Sequence, residues 1–285
     1  MKNTPQQSFK HLFIVLIALM GYFQSGSLIA QTVKDTVVFK TGYVSVNGVK
    51  LFYKEAGEGK PMLFLHGTLA TCDRHFAKQL DEFAKKNRVI ALHLRAHGKS
   101  SFPDTPFSID SFTEDVFKFL EDIKVDSATV VGFSLGGCIA LNLAAKHPEK
   151  VGKLVTIGAF SSNEALKDEA VKDIKNWGDD MGKFIKSNFG EGYDPEKIPL
   201  YIQKVKDAFL VEKEPKITEE SLKKIKCPTL LVFGDLDFFS KIEHQLYLHK
   251  TIAKSNLCIL PKTPHMVQIA RADIFNKLLS EFIGK

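Results

Sequence analysis

The sequence predicts an α/β fold in which helices cover both faces of a mostly parallel β-sheet. Short, continuously apolar segments alternate along the chain with segments whose apolar residues recur at helical spacing. Continuous apolar runs are typical of strands that are buried on both faces, as they are in a parallel sheet between helices. The chain has 285 residues, 44% of them hydrophobic and 25% charged, which is the balance of a globular protein with a sizeable core.

The N-terminal segment has the layout of a secretory signal peptide. Lys2 and Lys10 precede an apolar stretch over residues 12–23, and small and polar residues follow it up to Ala30. We therefore expect a signal peptide over residues 1–30 and an exported mature protein, either periplasmic or secreted. The alternative, an uncleaved N-terminal anchor, is disfavoured because a membrane span needs about 20 apolar residues. We also expect no stable insertion of the mature chain into a membrane.

The next elements predict the first part of an α/β core, over residues 31–160. The turn Asn47-Gly48 between two strand-like segments indicates a β-hairpin. Further strands are predicted over the apolar runs at 62–66, 88–92, 127–133 and 153–157. Between these runs, apolar residues at helical spacing predict helices over 76–83, 116–123 and 135–147.

The alternation stops over residues 161–226, which we interpret as a small helical cap inserted into the core. This segment is rich in charged residues and its apolar residues follow helical spacing. Its large apolar residues indicate either an apolar lining under the cap or plain packing: Trp177, Met181, Phe184, Phe189 and Phe209. Strands at 229–233 and 257–260 and helices at 242–252 and 267–283 then predict the second part of the core, over residues 227–285.

A sharp strand-to-helix turn is predicted at Gly132-Phe133-Ser134-Leu135-Gly136. The segment fits the pattern G-x-S-x-G and stands directly after an apolar strand and before a helix. In this setting the turn holds the serine hydroxyl above the end of the strand, and the glycines let neighbouring backbone pass. Ser134 is therefore the candidate nucleophile. The alternative is a glycine-rich turn that contains an ordinary serine.

The candidate base and acid lie in loops that follow two later strands. A serine hydroxyl is a weak nucleophile until a base accepts its proton, and an acid must orient that base. Among nine histidines, His265 stands in the loop between the last strand and the last helix, where strand ends gather a site. Asp237 follows the preceding strand and stands between serine and histidine in chain order. We predict His265 as the base and Asp237 as the acid, with Asp235 as the second choice.

Two backbone N–H groups are needed to stabilise the negative oxygen that forms during acyl transfer. The N–H of Leu135, the residue after the nucleophile, is the first candidate. The second should come from the loop after the strand at 62–65, where Thr68 is the preferred donor and Leu69 the alternative. We interpret His66 in the same loop as a support for the loop and not as a proton carrier.

The chain resembles the α/β-hydrolase fold family, and within it the small, capped, esterase-like members. Five motifs in this order carry the likeness over residues 42–282: His66-Gly67, Arg95-Ala96-His97-Gly98-Lys99-Ser100, Gly132-Phe133-Ser134-Leu135-Gly136-Gly137, Gly234-Asp235-Leu236-Asp237, and His265. The resemblance implies a Ser-His-Asp mechanism with Ser134, His265 and Asp237 in these roles. It also implies a helical cap between the sixth and seventh strands.

The chain departs from the family pattern after the strand at 88–92. The family usually shows Asp-x-x-Gly there, whereas this chain has His93-Leu94-Arg95-Ala96. His93 lies near the predicted site. It therefore either changes the charge of the pocket or replaces the family's residue in a structural role.

Charge and cysteine content exclude several classes of protein. The formal net charge is +6 at pH 7, and loss of Lys2 and Lys10 with the signal peptide would leave +4. The basic residues form no run or stripe, so we expect no nucleic-acid partner. The four cysteines have no close spacing and are expected to be free thiols. Because no cysteine or histidine pair has ligand spacing, we expect no metal, and nothing in the sequence requires an organic cofactor.

The predicted activity is that of a serine hydrolase acting on a small-molecule acyl substrate. The bond cleaved would be a carboxylic ester, or a lactone or thioester, through an acyl-enzyme on Ser134. Other chemistries of the fold remain alternatives: carbon–carbon bond hydrolysis, aminopeptidase activity and cofactor-free perhydrolysis. A further alternative is a non-catalytic ligand-binding protein that keeps the fold.

Overall fold

The described residues form one eight-stranded β-sheet with helices packed against it. The computed structural model describes residues 37–178, 180–182, 185 and 194–284. The strands are β1 (Lys40–Val46), β2 (Val49–Ala56), β3 (Pro61–Leu65), β4 (Arg88–Leu92), β5 (Ala128–Phe133), β6 (Val151–Ile157), β7 (Thr229–Gly234) and β8 (Ser255–Leu260). The helices are α1 (Cys72–His75), α2 (Leu80–Ala84), α3 (Ile109–Asp122), α4 (Leu135–Lys146), α5 (Asp168–Lys175), α6 (Ile198–Lys206), α7 (Glu219–Lys223), α8 (Ile242–Thr251), α9 (Val267–Ala270) and α10 (Ala272–Gly284).

The strand order places the carboxyl ends of the parallel strands along one edge of the sheet. The order is β1-β2-β4-β3-β5-β6-β7-β8. β2 is antiparallel to both β1 and β4, and all other neighbours are parallel. The predicted fold class is therefore confirmed. Because parallel strands end on the same side, the loops after β3, β5, β6, β7 and β8 meet there and are available to build a site.

The predicted hairpin is confirmed in β1 and β2. Val46 pairs with Val49 across a two-residue turn, and both turn residues have positive φ, 47° at Asn47 and 77° at Gly48. Asn-Gly suits this turn because asparagine and glycine tolerate the left-handed region better than other residues.

Apolar side chains fill both faces of the sheet. On one face, Val116 and Phe119 of α3 belong to a cluster that includes the buried residues of α4. On the other face, Phe275 and Leu279 of α10 pack with Phe76, which follows α1. Buried apolar surface on both sides of the strands is the reason for their continuous apolar sequences.

Two predicted helices are shortened or interrupted in the structure. Of the helix expected over 76–83, only residues 80–83 are helical, within α2. Residues 76–79 form turns after α1, and there the buried Gln79 donates its side-chain N–H to Gln268 O at 2.9 Å. The helix expected over 267–283 is interrupted at Arg271, where φ is −132°. The Arg271 guanidinium donates to Pro261 O at 3.2 Å. Side-chain hydrogen bonds to other segments accompany both changes, and apolar spacing does not indicate such bonds.

The segment between β6 and β7 contains α5, α6 and α7. Its two ends meet, because Ile217 N donates to Ser161 O at 2.8 Å and Ser162 forms an isolated bridge with Lys216. Phe184 and Phe189, two of the predicted lining residues, lie outside the described residues.

The predicted signal peptide over residues 1–30 also lies outside the described residues. Within the described part of the chain, none of the helices is both long enough and apolar enough to cross a bilayer. All four cysteines are free, as expected, and Cys72 and Cys138 are buried. Burial raises the pKa of the Cys138 thiol to about 12.

Lys124→Gly should stabilise the protein. Lys124 is exposed and ends α3 with a φ of 55°, a left-handed conformation that glycine adopts without a Cβ clash. We expect the free energy of unfolding to rise by about 1 kcal/mol and Tm by about 2–4 °C. Thermal and urea unfolding would measure both changes. The control Lys118→Gly, in the interior of the same helix, should lower stability by about 1 kcal/mol; equal effects of the two variants would contradict the argument.

Candidate active site

Ser134 occupies the turn between β5 and α4 in a strained backbone conformation. Its φ is 50° and its ψ is −116°. The backbone is held on both sides, since Ser134 N donates to Ile157 O at 2.8 Å and Cys138 N donates to Ser134 O at 2.9 Å. A non-glycine residue in such a region costs of order 1–3 kcal/mol and persists only where its surroundings enforce it. The half-buried side chain therefore stands at the carboxyl edge of the sheet as the turn motif predicts.

The two glycines of the motif are required by close backbone approach. A Cβ at Gly136 would lie 2.1 Å from Leu65 O, and a Cβ at Gly132 would lie 2.3 Å from Gly136 O. No side chain fits at either distance. The turn thus brings the backbone of β3 against the start of α4, which places the loop after β3 beside Ser134.

Asp237 and His265 are joined by a short hydrogen bond. His265 Nδ1 donates to Asp237 Oδ2 at 2.6 Å. The other carboxylate oxygen of Asp237 accepts from Phe239 N at 2.8 Å and Ser240 N at 3.2 Å. Asp237 is buried, with 1% of its surface exposed. These bonds fix the carboxylate. The bond to Asp237 uses Nδ1 of the histidine and not Nε2, and a general base of this kind accepts a proton at Nε2.

The His265 ring is also held by packing. Phe133 and Phe239 lie 4.9 Å and 4.8 Å from it, measured between ring centroids. Gly158, after β6, has a φ of 58°, and a Cβ there would lie 2.8 Å from the His265 ring. Any larger residue at Gly158 would therefore displace the histidine.

Asp235, the second choice for the acid, has another role in the structure. Its side chain is exposed, and Oδ1 accepts from Thr263 N at 3.0 Å. Hydrogen bonds from backbone N–H groups, first that of Thr263, lower the pKa of this carboxyl below its ordinary value. Asp235 thus ties the loop after β7 to the loop that carries His265, while Asp237 reaches the histidine itself.

In the loop after β3, the amide groups of Gly67 and Leu69 are hydrogen-bonded, and that of Thr68 between them is not bonded within the described part of the chain. Gly67 N donates to His75 Nδ1 at 3.1 Å, and His66 Nδ1 donates to Gly67 O at 2.8 Å. Leu69 N donates to Tyr201 Oη at 3.1 Å. Of these three successive amides, the Thr68 N–H alone has no hydrogen-bond partner among the described residues. Because Leu69 N is already bound, Thr68 is the better placed of the two candidate donors.

Three buried histidines support this loop in their uncharged form. His66 Nε2 accepts from Leu94 N at 3.1 Å, so the ring supports the loop as predicted. Burial lowers the pKa of His66 well below its usual value, that of His75 to about 3 and that of His97 to about 4. Sequence reasoning did not assign His75 or His97 to the site. His97 lies within the family-like motif at 95–100, which could have indicated a place near the site. His75 lies in α1, where no motif marks it.

A small cavity of about 20 Å³ adjoins the candidate oxyanion donors. Its lining is mostly apolar and includes Thr68, His97, Phe107, Ser108, Ile109, Phe112, Leu135, Tyr201, Val205, Ala208, Phe209 and Glu214. Of the predicted lining residues, Phe209 is part of this wall. Trp177 instead packs in the core, with 6% of its surface exposed, and donates Nε1–H to Asp173 Oδ2 at 3.0 Å.

His93 has a structural environment. Nε2 bonds to Asp73 Oδ2 at 3.2 Å, and Nδ1 accepts from Lys99 N at 3.2 Å. The ring lies 4.8 Å from that of Phe52. Ala96 has a φ of 61°, a conformation that favours the glycine of the family pattern. His93 therefore holds the loop after β4 together, which agrees with the structural alternative. Among the described residues, no three side chains of His, Cys, Asp or Glu are grouped to hold a metal ion.

Comparisons with known proteins agree with the observed fold. A family model described as the alpha/beta hydrolase fold matches residues 60–195. Serine hydrolase BPHL of Homo sapiens is 30% identical over 248 residues, which cover 84% of this chain and 85% of that protein. The 2-hydroxymuconate semialdehyde hydrolase of Pseudomonas sp. (strain CF600) is 25% identical over 266 residues, with 84% and 92% covered. The solved structure of Est816, described as an N-acyl homoserine lactone degrading enzyme, has a TM-score of 0.68 and 27% identity, with 85% and 100% covered.

Buried and half-buried histidines should make the fold sensitive to acid. The pKa is lowered to about 3 for His75, and to about 4 for His97 and for the half-buried His244, and that of His66 is also lowered well below 6.5. Below pH 6.5 the unfolded chain binds protons that the folded chain does not, so stability falls until the folded-state values are reached. Each histidine contributes about 1.4 kcal/mol per pH unit in this window.

Urea unfolding at pH 7.5, 6.5, 5.5 and 4.5 would measure this decline. His244→Gln should reduce the slope by about 1.4 kcal/mol per pH unit, because it removes one of the protons taken up on unfolding. The exposed residue His249 provides the control, since His249→Gln should leave the slope unchanged. A slope that is the same in wild type and His244→Gln would contradict the interpretation.

Proposed function

Because the chain belongs to the alpha/beta hydrolase fold family, we propose that it is a serine hydrolase that cleaves a carboxylic ester, lactone or thioester of a small molecule. The hydrogen bond of 2.6 Å between His265 and Asp237, at the edge of the sheet where Ser134 stands in its strained turn, carries this proposal. A ligand-binding protein has no need for a buried carboxylate that orients a histidine. The relative named as a serine hydrolase supports the same reaction class.

In the proposed mechanism, Ser134 Oγ attacks the acyl carbon while His265 Nε2 accepts the hydroxyl proton. Asp237 keeps Nδ1 protonated and stabilises the imidazolium that forms. The N–H groups of Thr68 and Leu135 donate to the oxyanion, a contribution of about 10²- to 10³-fold in kcat per donor in related cases. The bond to the leaving oxygen or sulfur then breaks, and His265 returns the proton to that leaving group. Water, deprotonated by His265, attacks the acyl-enzyme, and the acid is released as Ser134 is regenerated.

The character of the cavity favours an apolar acyl substrate over a carboxylate-bearing one. The described lining includes the carboxyl of Glu214 and no lysine or arginine. Burial raises the pKa of Glu214 above its ordinary value, which reflects its apolar surroundings. One relative is named for 2-hydroxymuconate semialdehyde, a carboxylate, which makes carbon–carbon bond hydrolysis the second candidate. A site for such a substrate would need a cation where this lining has an acid.

We also propose that the protein acts after export, on the basis of the N-terminal sequence. The mass of the mature protein recovered from fractionated cells would test this. A mature N-terminus near Gln31 would support it, and an intact Met1 in the soluble cell interior would contradict it.

A serine-directed fluorophosphonate should form a single covalent adduct on Ser134. The phosphorus reagent reports nucleophilic activation without requiring knowledge of the substrate. Intact-mass analysis and peptide mapping would locate the adduct. Ser134→Ala should give no adduct. The control Ser162→Ala changes a serine in the segment between β6 and β7, which we call the insertion, and should be labelled like wild type. Absence of an adduct on folded wild-type protein would count against the proposed function.

Replacement of the two aspartates after β7 should separate their roles. Asp237→Asn should lower kcat on an activated ester by roughly 10⁴-fold, because the amide favours the wrong histidine tautomer. Asp235→Asn removes a charge but keeps an oxygen that can accept from the Thr263 amide, so it should cost no more than about tenfold. Steady-state kinetics with p-nitrophenyl esters would measure both. Similar decreases of kcat in the two variants would contradict the assignment of Asp237 as the acid that orients His265.

A further inference from the structure

We propose that Tyr201 is a positioning residue that holds the oxyanion loop of the active site. This inference rests on the proposed serine-hydrolase function and adds a residue from the insertion to it. Tyr201 lies on α6, far along the chain from the loop after β3 that carries Thr68. Its side chain is fully buried and also lines the cavity beside Thr68 and Leu135.

The Tyr201 hydroxyl is part of a directed chain of hydrogen bonds. Leu69 N donates to Oη at 3.1 Å, so the hydroxyl must give its own proton to another acceptor. His97 Nε2 lies 2.7 Å from Oη and accepts that proton. This nitrogen can accept because the other ring nitrogen of His97, Nδ1, donates to Arg95 O at 2.8 Å.

The far end of this chain is anchored in the core. The Arg95 guanidinium forms two hydrogen bonds to the buried Asp115 carboxylate, at 2.6 Å and 2.7 Å. Two parallel bonds of this kind fix a guanidinium more firmly than a single bond does. The position of the Tyr201 hydroxyl is therefore set by α3, through Asp115, and not only by the insertion to which Tyr201 belongs.

The bond to Leu69 matters because the loop is strained at that residue. Leu69 has a φ of 71°, which a residue with a Cβ adopts only when its surroundings hold it there. His66 and His75 fix the Gly67 carbonyl and amide on one side of Thr68, and Tyr201 fixes the Leu69 amide on the other. Without the hydroxyl, the Leu69 amide loses its acceptor and the peptide groups around Thr68 are free to rotate.

This arrangement predicts a defect that is specific to the transition state. The Thr68 N–H is needed once negative charge develops on the substrate oxygen, and it contributes little to binding of the neutral ester. Loss of its orientation should therefore lower kcat and leave KM nearly unchanged. Replacement of a residue that only stabilised the fold would lower Tm, but it would not lower kcat selectively while KM stayed the same.

The experiment compares Tyr201→Phe with Tyr53→Phe in the full-length mature protein. The first variant keeps the ring that packs 5.8 Å from Phe107, measured between centroids, and removes only the hydroxyl. We expect kcat on a p-nitrophenyl ester to fall about 10- to 100-fold with KM within about threefold, and affinity for an alkyl boronic acid, a tetrahedral-intermediate analogue, to fall by a similar factor. Tyr53→Phe, the same change in β2, should behave as wild type.

Equal kcat and equal boronic acid affinity in wild type and Tyr201→Phe would overturn the proposal, as would a loss confined to KM. A wild-type protein that neither hydrolyses esters nor reacts with a fluorophosphonate would instead refute the proposed function itself. If Tyr201→Phe does not fold, His97→Gln and His97→Leu provide the comparison. Glutamine keeps an acceptor for the tyrosine proton, so its kcat should exceed that of the leucine variant at least tenfold; equal values would overturn the proposal.

Discussion

The candidate site depends on one backbone constraint, the left-handed conformation of Ser134 between β5 and α4. The isolated sequence does not favour this conformation, because a serine there costs of order 1–3 kcal/mol. Tertiary structure enforces it: β5 lies between β3 and β6, and Ser134 N is bound to Ile157 O of β6. Gly136 lets the start of α4 approach the backbone of Leu65 within van der Waals range. The nucleophile is therefore presented only by the assembled sheet, and the strands that form the core also set its geometry.

Tertiary structure also sets the protonation state of the buried histidines around the loop after β3. His75 Nδ1 accepts from the Gly67 amide, and His97 Nε2 accepts from Tyr201. A proton on His75 Nδ1 would face the Gly67 N–H donor, and a proton on His97 Nε2 would force the Tyr201 hydroxyl to turn its own proton away from the ring. Burial keeps both rings uncharged by lowering the pKa of each. The loss of stability expected in acid and the geometry of the candidate oxyanion loop thus have one physical origin, namely that these histidines act as acceptors.

Much of the fold and part of the site could be predicted because they follow from local pattern and chain order. Buried parallel strands have continuous apolar sequences, and Ser134, Asp237 and His265 each follow such a strand. Tyr201 could not be found in this way, since its contact with Leu69 spans 132 residues and the periodicity of α6 marks it only as a buried aromatic. The same limit applies at Gln79 and Arg271, where the helix is absent or interrupted although the apolar spacing continues, and where side chains bond to the backbone of other segments.

The segment between β6 and β7 contacts both loops of the candidate site. Lys167, just before α5, donates Nζ–H to the backbone carbonyl of Asp237 at 2.5 Å, and Leu166 bridges to Ser240. Tyr201, on α6, binds the loop that carries Thr68. One segment therefore supports the candidate acid Asp237 at one point and the candidate oxyanion loop at another. Under the proposed function, a substrate that shifts α5 or α6 on entry would also disturb these bonds, which would couple the fit of the substrate to the alignment of the reacting groups. Selectivity would then arise in the rate of the chemical step as well as in binding.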